Sequence, residues 1–257
     1  MGFEIMITDE QKQFYEENGY LVLRECFARE EATELRGELF SILREPWTGS
    51  TQLGIGYEKA AKGKDPENPL GANFVLASPL LGDRWFKLTG DKRLVQPMVD
   101  LLGPDINLHD QKIPLKPPGH VSKQRWHQDW DYEKHDRPEL AAILLYLDDT
   151  APGAGATKLA PQSHKHGALP HDREDSQSIK DELIGDDWIQ PEMRAGDAII
   201  IHTWLAHSIG DNLSDSTKAM VAHVYKTQQA IDIHGNSRAM AEMPVARGGK
   251  MVLRGDW

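Results

Sequence analysis

The apolar residues of the chain change their spacing near residue 105, and this change limits the folds that the sequence can adopt. Before it, apolar side chains recur at helical intervals, as in the series Ala32, Leu35, Leu39 and Ile42. After it they form short continuous runs such as Leu140 to Leu147, which have the length and composition of buried strands. Because helices come first, strands follow and the two do not alternate, the sequence predicts an α+β protein that is mostly β. An antiparallel barrel or sandwich would be braced by N-terminal helices.

Several predicted elements have recognisable ends. Thr8 followed by Gln11 has the pattern of a capping box, and Asn18-Gly19 is typical of a helix C-terminus. Asp91 is expected to cap a later helix, in which Pro97 should cause a kink or a delayed start. The predicted helices cover 8–18, 28–43 and 91–102, and the predicted strands cover 20–23, 106–115, 140–147, 157–160, 198–202 and 219–225.

Two stretches lack such patterning. Residues 46–75 are rich in Gly, Lys, Asp, Glu, Asn and Pro, and a stretch of this length without periodicity is uncommon inside a compact domain. It is interpreted either as a solvated insertion or as a lid over a substrate. Residues 162–187 are polar and charged and are expected to lie on the surface.

Composition excludes several classes of protein. The net charge of −11 argues against a nucleic-acid partner and against an anionic membrane surface, both of which need a basic face. A single cysteine, Cys26, permits neither an intramolecular disulfide nor a multi-cysteine zinc site. The sequence has neither an apolar run long enough to span a membrane nor the features of a signal peptide, so we expect a cytoplasmic protein. The oligomeric state stays open.

The segment Trp126-His127-Gln128-Asp129 holds a His-x-Asp pair, and His207 lies 80 residues later. In an extended strand, residues i and i+2 point to the same side, so His127 and Asp129 can present a nitrogen and an oxygen to one point. Adding His207 gives two histidines and one carboxylate, which is the ligand set of non-haem Fe(II) oxygenases. His202 precedes His207 by five residues on what is predicted to be one strand, so it should point to the opposite face.

Two other classes of protein use similar residues. In a zinc hydrolase the metal activates water beside a general base such as Glu, and no Glu lies within three residues of His127, Asp129 or His207. A non-catalytic small-molecule-binding protein on the same barrel could lose any ligand freely, yet all three are present. The residues alone leave both alternatives open.

Taken in order, the motifs resemble the phytanoyl-CoA dioxygenase family of Fe(II)/2-oxoglutarate oxygenases over nearly the whole chain. The matching pieces are Thr8 to Gln11 with Phe14, Gly19 to Leu23, Lys116-Pro117-Pro118-Gly119, His127-Gln128-Asp129, Gly155-Ala156-Thr157, Pro161-Gln162-Ser163-His164, Gly196-Asp197, His207, Asn212 and Ser214. The resemblance implies a double-stranded β-helix, that is, a jelly-roll or cupin-like barrel. It also implies one domain over 1–257, with a helical part at 1–104, a jelly-roll core at about 105–230 and a tail at 231–257.

The resemblance further implies an activity. His127, Asp129 and His207 would hold Fe(II), 2-oxoglutarate would be the co-substrate, and O2 would be the oxidant. A small molecule would be hydroxylated, or otherwise oxidised, at an unactivated C–H bond with release of succinate and CO2. Related halogenases carry a small residue in place of the aspartate, so Asp129 favours oxidation over halogenation.

Four residues resemble family positions that bind the co-substrate. The family has an Arg eleven residues past the third ligand, where this chain has Lys218, and a lysine offers a point charge instead of a planar fork. Gln124 and Thr157 resemble further co-substrate positions. Tyr146 lies in a strand that often faces the co-substrate, although core packing is the simpler explanation.

Two tryptophans, Trp130 and Trp204, are candidates for a substrate-binding wall. Trp130 has the strand parity opposite to His127, so core packing is a competing explanation for its side chain.

Overall fold

The protein is described by a computed structural model, which covers residues 6–49, 52–121, 126–172, 178–233 and 242–252. Its helices are α1 (Asp9–Asn18), α2 (Arg29–Leu43), α3 (Asp83–Leu88), α4 (Lys92–Leu102) and α5 (Asp181–Ile184). Its strands are β1 (Tyr20–Leu23), β2 (Gly54–Tyr57), β3 (Ala72–Leu76), β4 (Ile106–Lys116), β5 (Leu140–Tyr146), β6 (Lys158–Leu159), β7 (Ala198–His202), β8 (His207–Ser208), β9 (Lys218–Thr227), β10 (Met243–Arg247) and β11 (Lys250–Met251). No helix in this part of the chain is both long and apolar enough to cross a membrane.

The predicted helix ends are confirmed. Thr8 and Gln11 form a capping box on α1, and Gly19 adopts the left-handed conformation that ends it. Asp91 caps α4, which begins without delay and continues through Pro97. Because proline cannot donate to the carbonyl of Arg93 four residues earlier, that oxygen accepts a hydrogen bond from Cys26 Sγ at 3.6 Å.

The strands form a large, curved antiparallel sheet and a small one. The large sheet has the order β1-β7-β5-β9-β4-β10-β11, and β3 joins β4 while β2 joins β3. The small sheet pairs β6 with β8. Apolar residues of both sheets pack between them, including Leu144, Leu159 and Ile199. Two β layers closed in this way form the double-stranded β-helix that the family resemblance implied, braced by N-terminal helices.

Side chains alternate between the two faces of the large sheet. Ile143, Leu145 and Val221 belong to the core in which the helices pack. The neighbouring Leu144, Met220 and Ala222 point the other way and line a cavity inside the barrel. Every residue of β5 is buried, because the helices cover one face of the strand and the barrel interior lies on the other.

The structure departs from the sequence expectations in three places. Residues 46–75 contain β2 and β3, which pair and extend the large sheet, because β3 hydrogen-bonds to the exposed edge of β4. This sheet therefore draws strands from outside 105–230, and α3, β10 and β11 have no counterpart among the predicted elements. His202 and His207 end and begin different strands with a turn between them, so the expected strand parity does not apply to them.

Gly196 lies at a close approach between two backbone segments. Its φ is +95°, and a Cβ at this position would lie 2.2 Å from the carbonyl oxygen of Phe27. The same two residues are joined by a hydrogen bond of 2.9 Å from Phe27 N to Gly196 O. Glycine is required here by both the dihedral angle and the space.

We expect Gly196→Ala to lower the free energy of unfolding by about 1–3 kcal/mol, because the new methyl group meets a backbone atom in a strained conformation. Gly37→Ala is the matched control, since Gly37 is exposed within α2 and a Cβ there would meet nothing within 4 Å. That substitution should raise the free energy of unfolding by about 0.5–1 kcal/mol. Urea denaturation of both variants measures the two effects, and a Gly196→Ala variant as stable as the parent would contradict the prediction.

Candidate metal centre

The two histidines of the predicted triad are joined through their backbones. His127 N donates to His207 O and His207 N donates to His127 O, both at 2.9 Å. This isolated antiparallel bridge places the two imidazole rings 4.2 Å apart between their centroids. The pairing brings together two residues that are 80 positions apart in the sequence.

Asp129 reaches the same point by a local route. Gln128 is extended, with φ −113° and ψ 139°, so residues 127 and 129 project to one side as the i, i+2 rule requires. The chain then turns into a short 3-10 helix over Asp129–Asp131. Asp129 Oδ1 lies 3.8 Å from His207 Nε2, and all three residues are buried.

The tautomer of His207 is set by a hydrogen bond. Its Nδ1 lies 3.0 Å from the carbonyl oxygen of Leu205, which can only accept, so Nδ1 carries the proton. The lone pair of Nε2 is then directed at Asp129 and His127. Metal-binding histidines in proteins are oriented by this type of contact.

Gln128, between the two ligands, fixes the segment to its surroundings. Its side-chain amide donates to the carbonyl oxygens of Gly167 and Trp204 and accepts from Leu169 N at 2.8 Å. The residue is fully buried. Gln128 therefore connects the segment that carries His127 and Asp129 to residues 167–169 after β6 and to Trp204 before β8.

The donor set fits a divalent transition metal. One ligand atom from each of His127, Asp129 and His207 lies within 4.8 Å of the others. Two imidazole nitrogens and one carboxylate oxygen gathered on one side, with space beyond them, are the arrangement that Fe(II) uses in oxygenases.

This space is a cavity of about 680 Å³ inside the barrel. Strands β4, β5 and β9 supply one wall, and β2 and β3 cover another, so the segment that seemed unpatterned contributes to the site. The apolar lining includes Tyr57, Phe74, Pro114, Val121, Tyr132, Ala142, Leu144, Ile209, Met220, Ala222 and Val224. Glu58 pairs with His120 at 2.9 Å. Besides the triad, the polar residues that line the cavity are Glu58, Lys59, Asn73, Lys112, Lys116, His120 and Thr157.

Lys116 is a buried cation that lines the cavity. Lys116, at the end of β4, is 1% exposed, and its Nζ donates to the carbonyl oxygen of Gly155. No carboxylate in the described ranges forms an ion pair with it, and burial lowers the pKa of its ammonium to about 7. Lys112, which also lines the cavity, differs: although burial opposes its charge, Asp110 and Asp129 raise its pKa.

Lys218, the sequence candidate for the co-substrate cation, lies directly opposite Lys116 in the β4–β9 pairing. It is half-buried and is not among the residues that line the cavity. Burial raises the pKa of the nearby Asp149 carboxyl, but hydrogen bonds from Ala195 and Arg29 and the charge of Lys218 together hold it below its ordinary value. The positive charge of Lys218 is thus partly balanced by protein carboxylates.

The other candidates divide between the cavity and its support. Thr157 lines the cavity, and Tyr146 lies behind it, with its hydroxyl donating to Thr157 Oγ1 at 2.8 Å. Gln124 falls outside the described residues. Trp130 and Trp204 pack edge to face at 5.6 Å and do not line the cavity, so their substrate contact stays a prediction.

Asn212 is a functional support that sequence reasoning noted only as part of a motif. Its side-chain amide donates to the carbonyl oxygens of Lys116 and Ser216, and its oxygen accepts from Ser214 Oγ at 2.6 Å. It therefore holds the end of β4, where Lys116 lies, against the loop before β9. The available signals were the motif Lys116-Pro117-Pro118-Gly119 for Lys116 and, for Asn212, its own place among the pieces that match the family.

Comparisons with known proteins agree with this geometry. The family described as phytanoyl-CoA dioxygenase matches residues 15–220. A probable alpha-ketoglutarate-dependent hypophosphite dioxygenase of Stutzerimonas stutzeri is 29% identical over 163 residues, which are 63% of this chain and 55% of that protein. The chain thus spans just over half the length of that relative.

Two further proteins match over more of their length. The ectoine dioxygenase of Bordetella parapertussis is 24% identical over 251 residues, with 88% of this chain and 78% of that protein covered. A crystal structure of EctD from S. alaskensis with bound Fe has a TM-score of 0.74 and 20% identity, covering 99% of this chain and 89% of that one. The structural likeness shows the shared fold.

We expect His127→Ala, Asp129→Ala and His207→Ala each to reduce Fe(II) affinity by at least about a hundred-fold, because each removes one of three protein ligands. Iron content after anaerobic dialysis measures the loss, and circular dichroism checks the fold. His166→Ala is the control, because His166 is exposed and outside the cluster. Full iron content in Asp129→Ala would show that the triad is assigned wrongly.

Proposed function

The chain belongs to the phytanoyl-CoA dioxygenase family of Fe(II)- and 2-oxoglutarate-dependent oxygenases, and we propose that it hydroxylates an unactivated C–H bond of a small organic molecule. The observation that carries this proposal is the placement of His127, Asp129 and His207 together at a mostly apolar cavity inside the barrel. Family membership favours this activity over the zinc hydrolase and the non-catalytic binding protein.

Bound iron, 2-oxoglutarate and O2 supply the oxidation itself, in which one oxygen atom enters the substrate and the other enters succinate as CO2 leaves. The contribution of the protein is binding and positioning. His127, Asp129 and His207 hold the metal on one side and leave the cavity side open. Asp129 occupies the position that halogenases of this type leave to chloride, which favours hydroxylation.

The cavity wall is suited to an apolar reacting group. Ala142, Leu144, Met220 and Ala222 offer no hydrogen-bonding side-chain atoms, so they orient a hydrocarbon segment by shape and exclude water from it. Tyr57 on β2 and Phe74 on β3 cover the opposite side and are the residues we assign to substrate selection. The polar pair Glu58 and His120 would bind a polar end of the same substrate.

Lys116 is the cation that we assign to the distal carboxylate of 2-oxoglutarate. A buried ammonium without a carboxylate partner is costly, and an anionic ligand in the adjoining cavity offsets that cost. Thr157, which lines the same cavity, adds a hydroxyl donor. Lys218 lies one strand away, and its charge is partly balanced by Asp149.

Purified protein supplied with Fe(II), 2-oxoglutarate and O2 should form succinate, and a substrate should increase the rate. Under anaerobic conditions the iron and 2-oxoglutarate complex should give a weak visible charge-transfer band. Apo protein and the His207→Ala variant serve as controls and should give neither signal. Failure of the parent protein to bind 2-oxoglutarate in the presence of Fe(II) would refute the proposed function.

Lys116→Met should weaken 2-oxoglutarate binding by about a hundred-fold, because it removes one member of a buried charge pair. The probe that separates anchoring from structural support is 2-oxopentanoate, which has a methyl group where 2-oxoglutarate has its distal carboxylate. Its affinity should be the same in Lys116→Met and in the parent. Anaerobic titration of the charge-transfer band measures both ligands.

Lys218→Met is the matched variant, and it should lower 2-oxoglutarate affinity much less than Lys116→Met. The opposite order would assign the anchor to Lys218. Binding should also depend on pH: above about 7 the Lys116 ammonium of the free protein loses its proton, so affinity falls by up to about tenfold per further unit. Lys116→Arg, which keeps its charge, should abolish that dependence.

A further inference from the structure

A second group of metal-ligating side chains lies apart from the iron ligands. It is formed by His109 on β4, His135 in the segment after the Asp129–Asp131 turn, and Glu242 directly before β10. One ligand atom of each lies within 4.8 Å of the others. Both histidines are 1% exposed, and Glu242 is half-buried.

His135 has the hydrogen-bonding pattern of a metal ligand. Its Nδ1 lies 2.6 Å from the carbonyl oxygen of Glu133, so Nδ1 carries the proton and Nε2 bears a lone pair. Nε2 is buried and has no hydrogen-bond partner among the residues that the structure describes. Burial lowers the pKa of this imidazole, which keeps it neutral and able to bind a cation.

His109 and Glu242 complete the group. The His109 ring lies 4.5 Å from the His135 ring, and its Nδ1 lies 3.0 Å from Glu242 Oε1. The other oxygen of Glu242, Oε2, forms an ion pair with Lys226 Nζ at 2.9 Å and accepts a hydrogen bond from Asn107 Nδ2 at 3.3 Å. Oε1 is therefore the oxygen that faces the two imidazoles.

A purely hydrogen-bonded network leaves one atom unexplained. His109 Nε2 also lies 3.0 Å from Glu133 Oε2, so a doubly protonated His109 could bridge the two carboxylates. That arrangement still offers nothing to His135 Nε2 in the described chain. A divalent cation in place of the proton at His109 would use both histidines and Glu242 together.

We propose that His109, His135 and Glu242 bind a second divalent metal ion, Zn²⁺, independently of the iron centre. Two imidazole nitrogens and one carboxylate oxygen are a common zinc ligand set. Glu133 Oε2 lies 3.0 Å from His109 Nε2, on the other side of the ring, so it can orient this imidazole by accepting its proton. The ion would connect His109 on β4, Glu242 directly before β10 and His135 in the segment after the Asp129–Asp131 turn.

The metal content of a variant without the iron centre tests this proposal. His127→Ala with Asp129→Ala removes two iron ligands, so zinc retained after dialysis reports on the second site. We expect about one zinc per chain in this background and less than one-tenth of that when His135→Gln is added. His166→Gln, at an exposed histidine outside both clusters, is the control and should leave the zinc content unchanged.

A second measurement uses the parent protein in case the multiple variant does not fold. With the iron centre saturated by Fe(II) under anaerobic conditions, added Zn²⁺ should bind with a stoichiometry of one and raise the melting temperature. His135→Gln should bind Fe(II) normally and show no such rise. A zinc content below one-tenth in both experiments, or an unchanged content in His135→Gln, would overturn the proposal.

Discussion

The two backbone hydrogen bonds between His127 and His207 are the constraint on which the site depends. They join β8 of the small sheet to the segment before the Asp129–Asp131 turn, and they place two imidazoles side by side. Neither bond depends on the identity of the side chains, so the barrel itself positions the ligands. Gln128, buried between them, prevents the segment from rotating by bonding to three backbone groups. Two of the three triad residues thus stand on paired backbone and not on a free loop, which favours a well-defined geometry.

Three lysines at or near the cavity differ in whether carboxylates lie close enough to balance their positive charge. Lys112 has Asp110 and Asp129 near it, and Lys218 has Asp149, whereas the one partner of Lys116 in the described part of the chain is a backbone carbonyl oxygen. An uncompensated buried ammonium is unfavourable until an anion arrives. This difference among three chemically identical side chains is the reason for proposing Lys116 as the cation that binds an anionic ligand. The same reasoning underlies the second proposed metal site, because the buried Nε2 of His135 has no hydrogen-bond partner among the described residues.

Helices and strands could be predicted where they depend on residues close together in the sequence. They could not be predicted where they depend on pairing with distant residues. The capping box at Thr8, the helix start at Asp91 and the buried strand β5 were predicted because each depends on residues within a few positions. Strands β2 and β3 were missed because their apolar residues are few and their stability comes from pairing with β4, which is distant in the chain. The parity argument for His202 was wrong because it assumed one strand where the chain turns between two.

By itself, the sequence determined that His127 and Asp129 project to one side, since side chains at i and i+2 share a side of an extended backbone, and this made them candidate ligands. It also determined the order of helices and strands, through the spacing of apolar residues. Only the tertiary structure decided which lysine faces the cavity, since the strand register sets Lys116 opposite Lys218 and burial separates their environments. It alone brought Glu242 to His109, residues 133 positions apart, because β10 pairs with the first half of β4. Contacts of this kind depend on strand register and chain crossing, which no local pattern encodes.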